Sequence, residues 1–159
     1  MLFQGGLRRS EAAALTWGDV QDATDGAGVL LRVRRSKTDQ DGTAADVRYL
    51  KNGCASAIRQ LRDRLTVRRS GLRPAADEQV LGGLGGQSIG RRLTAAARAA
   101  GIDGRITGHS GRVGLASELT ARGASTTETM LAGGWRTARM VAHYSAAATA
   151  EQGAVAKYL

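Results

Sequence analysis

Two stretches decide how the chain is read: GHSGRVG at residues 108–114 and GGWRTARMVAHYS at residues 133–145. Trp135 stands twenty-six residues after His109, and Tyr144 nine residues after Trp135. Such spacing is notable in a chain with only 2 His, 2 Trp and 3 Tyr. Taken singly, each residue has an ordinary reading. Ser110 is placed to cap a helix GRVGLASELTAR that Gly123 ends, which makes His109 a cap or a surface polar group. Ser125 and Glu128 stand at capping-box spacing before TTETMLA. Thr137 is placed to cap ARMVAHYSAAA, on which Met140, Val141 and Tyr144 share one face, so that Tyr144 alone reads as a core aromatic.

Working outward, 159 residues of which 42% are apolar suit one domain, and no apolar run is long enough to span a bilayer. The opening MLFQGGLRRSE lacks the basic start, apolar stretch and small-residue cleavage site of a secretory signal, and points to the cytoplasm. Its LFQG leaves open a remnant of an expression tag. Cys54 is alone and the two histidines lie far apart, so neither a disulfide nor a metal site is expected. The charge is more informative: 23 Lys+Arg against 14 Asp+Glu give +9, and only Lys37, Lys51 and Lys157 are lysines. Guanidinium forks match phosphate oxygens, which favours nucleic acid as partner. GC-rich codon usage with solvated helix faces is the plainer source of the same bias.

Upstream, Ser10 is placed to cap a helix through EAAALTW, with Glu11 at its positive end, Gly18 closing it and Arg8 just before it. VLLRVRRSK from Val29 alternates, with Val29, Leu31 and Val33 on one face. TDQDGT is a turn by composition, and ADVRYLK resumes extended character with Val47 and Tyr49 on one side. The result is a hairpin with Lys37 near its tip. SAIRQLRDRL carries Ile58, Leu61 and Leu65 at helical spacing and ends by Gly71. After Pro74 and LGGLGG, SIGRRLTAAARAAG repeats the helical pattern on Ile89, Leu93 and Ala97. The glycines at 82–86 lack the Lys-Ser/Thr of a phosphate loop.

Together, Arg8, Lys37, His109, Arg112, Trp135 and Tyr144 supply cations, proton-transfer groups and one nucleophile without a metal motif. Phosphoryl chemistry needs those parts. The in-line transition state at a phosphodiester concentrates negative charge on non-bridging oxygens, where two fixed guanidiniums can substitute for a metal ion. A phenol serves as nucleophile once its proton has an acceptor, and the leaving 5′-oxygen needs a donor such as an ammonium.

GLRRSEAAALTWGDV, SKT, GHSGRVG and AGGWRTARMVAHY, in that order, resemble the tyrosine site-specific recombinases of the integrase family, and within it the Cre-like branch. The resemblance covers essentially the whole chain. It implies a mainly helical catalytic-domain fold with a small antiparallel sheet. It also implies that Arg8 and Arg112 clamp the scissile phosphate, that Lys37 is the general acid for the 5′-hydroxyl, and that His109 assists proton transfer from Tyr144. Trp135, where most members carry histidine, would donate one indole hydrogen bond to phosphate. Tyr144 would form a 3′-phosphotyrosyl bond, reversed by a free 5′-hydroxyl, so that neither ATP nor metal is consumed and no cofactor is implied. The partners implied are double-stranded DNA and further copies of the chain, a tetramer on DNA and a monomer when free. Glu11 is expected to buttress the first arginine or its helix.

Only seven residues precede Arg8. Against the family pattern, the chain reads as a single catalytic domain, N-terminally incomplete and without the separate N-terminal helical domain. The end, TAEQGAVAKYL, resembles the C-terminal helix that members dock into a neighbouring subunit, and its Ala154, Val155 and Leu159 fit that or packing within the chain. Two rival readings remain at this stage. One is a non-catalytic module with residues 112–132 as a helix-turn-helix and the arginines as phosphate contacts. The other is a tyrosine-type topoisomerase that relaxes DNA without exchanging partners.

Overall fold

The alternation in VLLRV forms strand β2 (Val29–Val33), with Val29, Leu31 and Val33 buried and Arg32 facing solvent. In the computed structural model, residues 1–34, 46–104, 106–151 and 153 are described. Two compact units divide the chain, one of Arg9–Ile89 and one of Leu2–Arg8 with Gly90–Leu159. Among the described residues the fold is mainly helical with one small antiparallel sheet.

In the first unit, β2 lies between β1 (Val20–Asp22) and β3 (Asp46–Leu50), both antiparallel to it. The expected hairpin is the β2–β3 pair, whose tip with Lys37 lies outside the described residues. Val47 and Tyr49 do share a side, and it is the outer one, 54% and 43% exposed, while Arg48 and Leu50 turn inward. β1 escapes the sequence reading because three residues carry no legible alternation. A clasped turn holds it in place. Asp25 accepts the amides of Ala27 and Gly28, and Arg59 of α2 (Asn52–Arg68) donates to Asp22 and to the carbonyls of Gly26, Ala27 and Gly28. Bonding to Arg59 holds the Asp22 carboxyl below its ordinary pKa, and the Tyr49 hydroxyl, 2.6 Å away, does the same for Asp25.

Helix α1 (Arg9–Ala14) begins one residue before Ser10, so Ser10 lies in its first turn rather than capping it, and the helix stops short of Gly18. Extended pairing competes successfully beyond Ala14. The Val80 amide donates to the Leu15 carbonyl and the Trp17 amide to the Glu78 carbonyl, each at 2.9 Å, which takes the groups a longer helix would use. A single 3-10 turn follows at Trp17–Asp19, where buried Asp19 accepts from Thr16 and pairs with Arg34. α2 begins earlier than its apolar spacing suggested, buries Ala55 and Ile58, and unwinds before Gly71, whose amide returns to the Thr66 carbonyl. α3 (Gly86–Ala99) buries Ile89 and Ala97 as expected.

The second unit contains α4 (Ser110–Ala121), α5 (Thr126–Gly133), α6 (Ala138–Tyr144) and α7 (Ala146–Glu151). Its core gathers Leu115 and Ala116 of α4, Val141 of α6 and Trp135, with Leu119, Met130 and Tyr144 packed against them. Met140 leaves the face assigned to it: 40% exposed, it points away while Val141 and Tyr144 pack inward. His109 occupies the N-cap of α4, and Ser110 is its first helical residue, its hydroxyl accepting the Thr107 amide instead. Ala154, Val155 and Leu159 lie outside the described residues. No helix among the described residues is long and apolar enough to cross a membrane.

The capping box of α5 forms as the sequence indicates. Glu128 accepts the amide and hydroxyl of Ser125 at 2.8 and 2.7 Å, while its own amide donates to the Ser125 hydroxyl. These bonds, the hydroxyl's first, hold the Glu128 carboxyl below its ordinary value of 4.5. A depressed carboxylate stabilises the fold above the unfolded pKa and ceases to do so as pH falls through the folded one. Glu128→Gln is therefore expected to lower the thermal midpoint near neutral pH, with the gap from the parent closing below pH 4.5. A gap that stays constant across that range would count against the carboxylate as its source.

Candidate active site

Arg112 lies in the first turn of α4 and is only 3% exposed, an unusual depth for a guanidinium. Two main-chain carbonyls receive it. Nη1 donates to the Gly6 carbonyl and, at 3.1 Å, to that of Gly133. Its guanidinium carbon lies 4.8 Å from the centroid of the Trp135 ring, a cation–π arrangement in a desolvated setting. Glycines make the approach of these backbones possible. Gly6 takes φ +55°, and a Cβ there would lie 3.1 Å from the Gly133 Cα. A Cβ on Gly133 would lie 1.9 Å from the Trp135 ring. Gly133→Ala is thus expected to destabilise the unit by about 1–3 kcal/mol through overpacking, with red-shifted Trp135 emission as the ring is displaced. A variant with the parent's melting point and emission would show that the ring is not confined there.

Trp135 follows a tight helix end: the amides of Gly134 and Trp135 both return to the Met130 carbonyl of α5. That geometry turns the indole inward, 5% exposed, and its Nε1 is enclosed without an acceptor. The last residue of α6, Tyr144, sets its ring 5.2 Å from His109 in an edge-to-face pair, 6.0 Å from Trp135 and 5.4 Å from His143. His109 is exposed, and its amide is received by the Thr107 hydroxyl at 3.3 Å. Four residues singled out by spacing, His109, Arg112, Trp135 and Tyr144, therefore form one connected cluster.

Arg8 is half-buried in the same unit, two residues beyond the Gly6 carbonyl that receives Arg112. Its segment is packed rather than loose. Leu7 is buried, and the α4 surface is lowered at Gly111 and Gly114, where added Cβ atoms would meet the Leu2 carbonyl at 2.6 Å and the Phe3 ring at 3.1 Å. Lys37 lies outside the described residues. Glu11 is buried in α1 of the first unit. Not foreseen from the sequence are the Gly6 and Gly133 carbonyls and the tilted ring pair of His143 and Tyr144. The paired glycines of QGGL and AGGW were the available signal for close backbone approach. Among the described residues no three His, Cys, Asp or Glu side chains gather as a metal site requires.

A sequence model described as the phage integrase family matches residues 1–151. The chain belongs to the phage integrase family. No curated protein matches the sequence. Among solved structures, the XerA recombinase is 20% identical, with a TM-score of 0.68 over 95% of this chain and 53% of its own. The XerH site-specific recombinase in a post-cleavage complex with a palindromic difH substrate is 17% identical, with a TM-score of 0.74 over 99% of this chain and 43% of its own. The Tn1549 transposon integrase in complex with circular intermediate DNA is 17% identical, with a TM-score of 0.57 over 95% of this chain and 57% of its own. At these identities the likeness is one of fold, and it agrees with the integrase fold that the motifs implied. The chain spans about half the length of the structures it matches.

Proposed function

We propose that this integrase-family chain acts in site-specific DNA recombination, cleaving and rejoining strands through a 3′-phosphotyrosyl bond on Tyr144. The observation that carries the reading is the cluster itself: a phenol at a helix end against His109 and Trp135, beside an arginine fixed from behind by two carbonyls. The Tyr144 oxygen attacks phosphorus, its proton passing toward His109. The bond from phosphorus to the 5′-oxygen breaks, and Lys37 delivers a proton to that oxygen. A 5′-hydroxyl of another strand reverses the step, so the bond count is conserved and neither ATP nor a metal ion enters. Arg8 and Arg112 clamp the non-bridging oxygens, where preorganised donors act most strongly. For Trp135 to offer its indole N–H to the same phosphate, the enclosed Nε1 must be uncovered as DNA binds.

The partner is double-stranded DNA, on which four copies assemble, and the free chain is a monomer. Its +9 charge and arginine bias support that partner. The depth of Arg112 favours this reading over a helix-turn-helix module, in which an arginine meets phosphates from an open helix face. Nicked DNA whose cleaved fragment diffuses away tests it: the protein is expected to accumulate on the 3′-phosphate, in EDTA as in its absence. Strict dependence on a divalent ion would overturn the mechanism. Strand transfer between two sites separates recombination from relaxation by a topoisomerase.

A further inference from the structure

α6 ends at Tyr144, and the chain turns before α7 begins at Ala146. Two serines hold that junction. Ser145, 2% exposed, directs both its amide and its hydroxyl to the Val141 carbonyl at 2.9 Å. Ser117, in the middle of α4, donates its hydroxyl to the Tyr144 carbonyl at 3.0 Å. The backbone of the tyrosine is thus tied laterally to α4, the helix that also carries Arg112 and is capped by His109. A short helix that ends at its reactive residue has little of its own to fix that residue, because terminal turns fray. A side-chain bond from a longer neighbouring helix supplies the missing constraint.

We propose that Ser117 is a positioning residue for the nucleophile, fixing Tyr144 through its main-chain carbonyl relative to Arg112 and His109; the proposal rests on the reading of Tyr144 given above. Ser117 does not touch the reacting atoms. Its effect comes through orientation, and small misplacements of a reacting group cost rate out of proportion to binding.

The test pairs Ser117→Ala with Ser117→Thr, which keeps the hydroxyl. In protein labelled on its tyrosine rings, the Tyr144 resonances are identified by their loss in Tyr144→Phe. They report ring placement through the His109 and Trp135 ring currents, without DNA. Ser117→Ala is expected to shift and broaden them, and Ser117→Thr to leave them near the parent positions. With nicked DNA, Ser117→Ala is expected to form the covalent adduct about tenfold more slowly or worse at unchanged DNA affinity, and Ser117→Thr within a few-fold of the parent. Tyr144 resonances in Ser117→Ala that superimpose on the parent's, or an adduct rate equal to the parent's, overturn the proposal. An adduct that persists in Tyr144→Phe places the nucleophile elsewhere and refutes the mechanism, while the resonances still decide whether Ser117 places this tyrosine.

Discussion

Tyr144→Phe is expected to leave no covalent protein–DNA adduct on nicked suicide DNA while the fold and DNA affinity persist. The substitution removes one oxygen and keeps the ring, so the contacts with His109 and Trp135 remain. A change that conserves ring volume in a half-buried position costs no more than about 1 kcal/mol of stability. Its chemical effect has no such ceiling, because a phenyl ring carries no atom that can bond to phosphorus. Denaturing gels after incubation with the suicide substrate, beside a thermal melt, separate the two consequences. An adduct undiminished in the phenylalanine variant would refute Tyr144 as the nucleophile.

Arg112→Lys is expected to raise the cleavage barrier by about 2–4 kcal/mol, roughly 30- to 1,000-fold in rate. An ammonium is a compact point charge and cannot reproduce a bidentate donor fork on phosphate oxygens. The same change should lower stability, because the Gly6 and Gly133 carbonyls lose a donor at a buried position. Each buried acceptor left without a partner costs about 1–3 kcal/mol. Arg8→Lys, at a half-buried position, should share the loss of rate with a smaller loss of stability. Single-turnover cleavage at saturating DNA, with melts of both variants, reads the contrast. Cleavage within a few-fold of the parent for both would sink the two-arginine clamp.

What the sequence made legible was set by the range of the interactions involved. The α5 cap depends on residues three apart, and the β2–β3 pair on simple alternation, so both could be read directly. The cluster of His109, Arg112, Trp135 and Tyr144 was legible only as a spacing shared with a family. Nothing local to Tyr144 distinguishes a nucleophile from a core aromatic. Non-local features escaped. α1 stops at Ala14 because Leu15 and Trp17 pair with Val80 and Glu78, far along the chain, and β1 exists because Arg59 and Asp25 close its turn. Met140 was misplaced for a different reason: a helix as short as α6 has too few turns for its apolar spacing to fix the direction of its face.

The bond from Arg112 to the Gly6 carbonyl joins residues 106 positions apart. Its two ends belong to one compact unit, yet the whole of Arg9–Ile89 is threaded between them. Closing a loop of that size carries an entropy cost that local helix formation does not, and long-range closures slow folding. On a ribosome the acceptor emerges first and must wait for its donor until α4 has been made. Maturation of the arginine's binding pose is therefore tied to synthesis of α4, and an interrupted translation product ending before α4 holds an N-terminal strap with nothing to fasten.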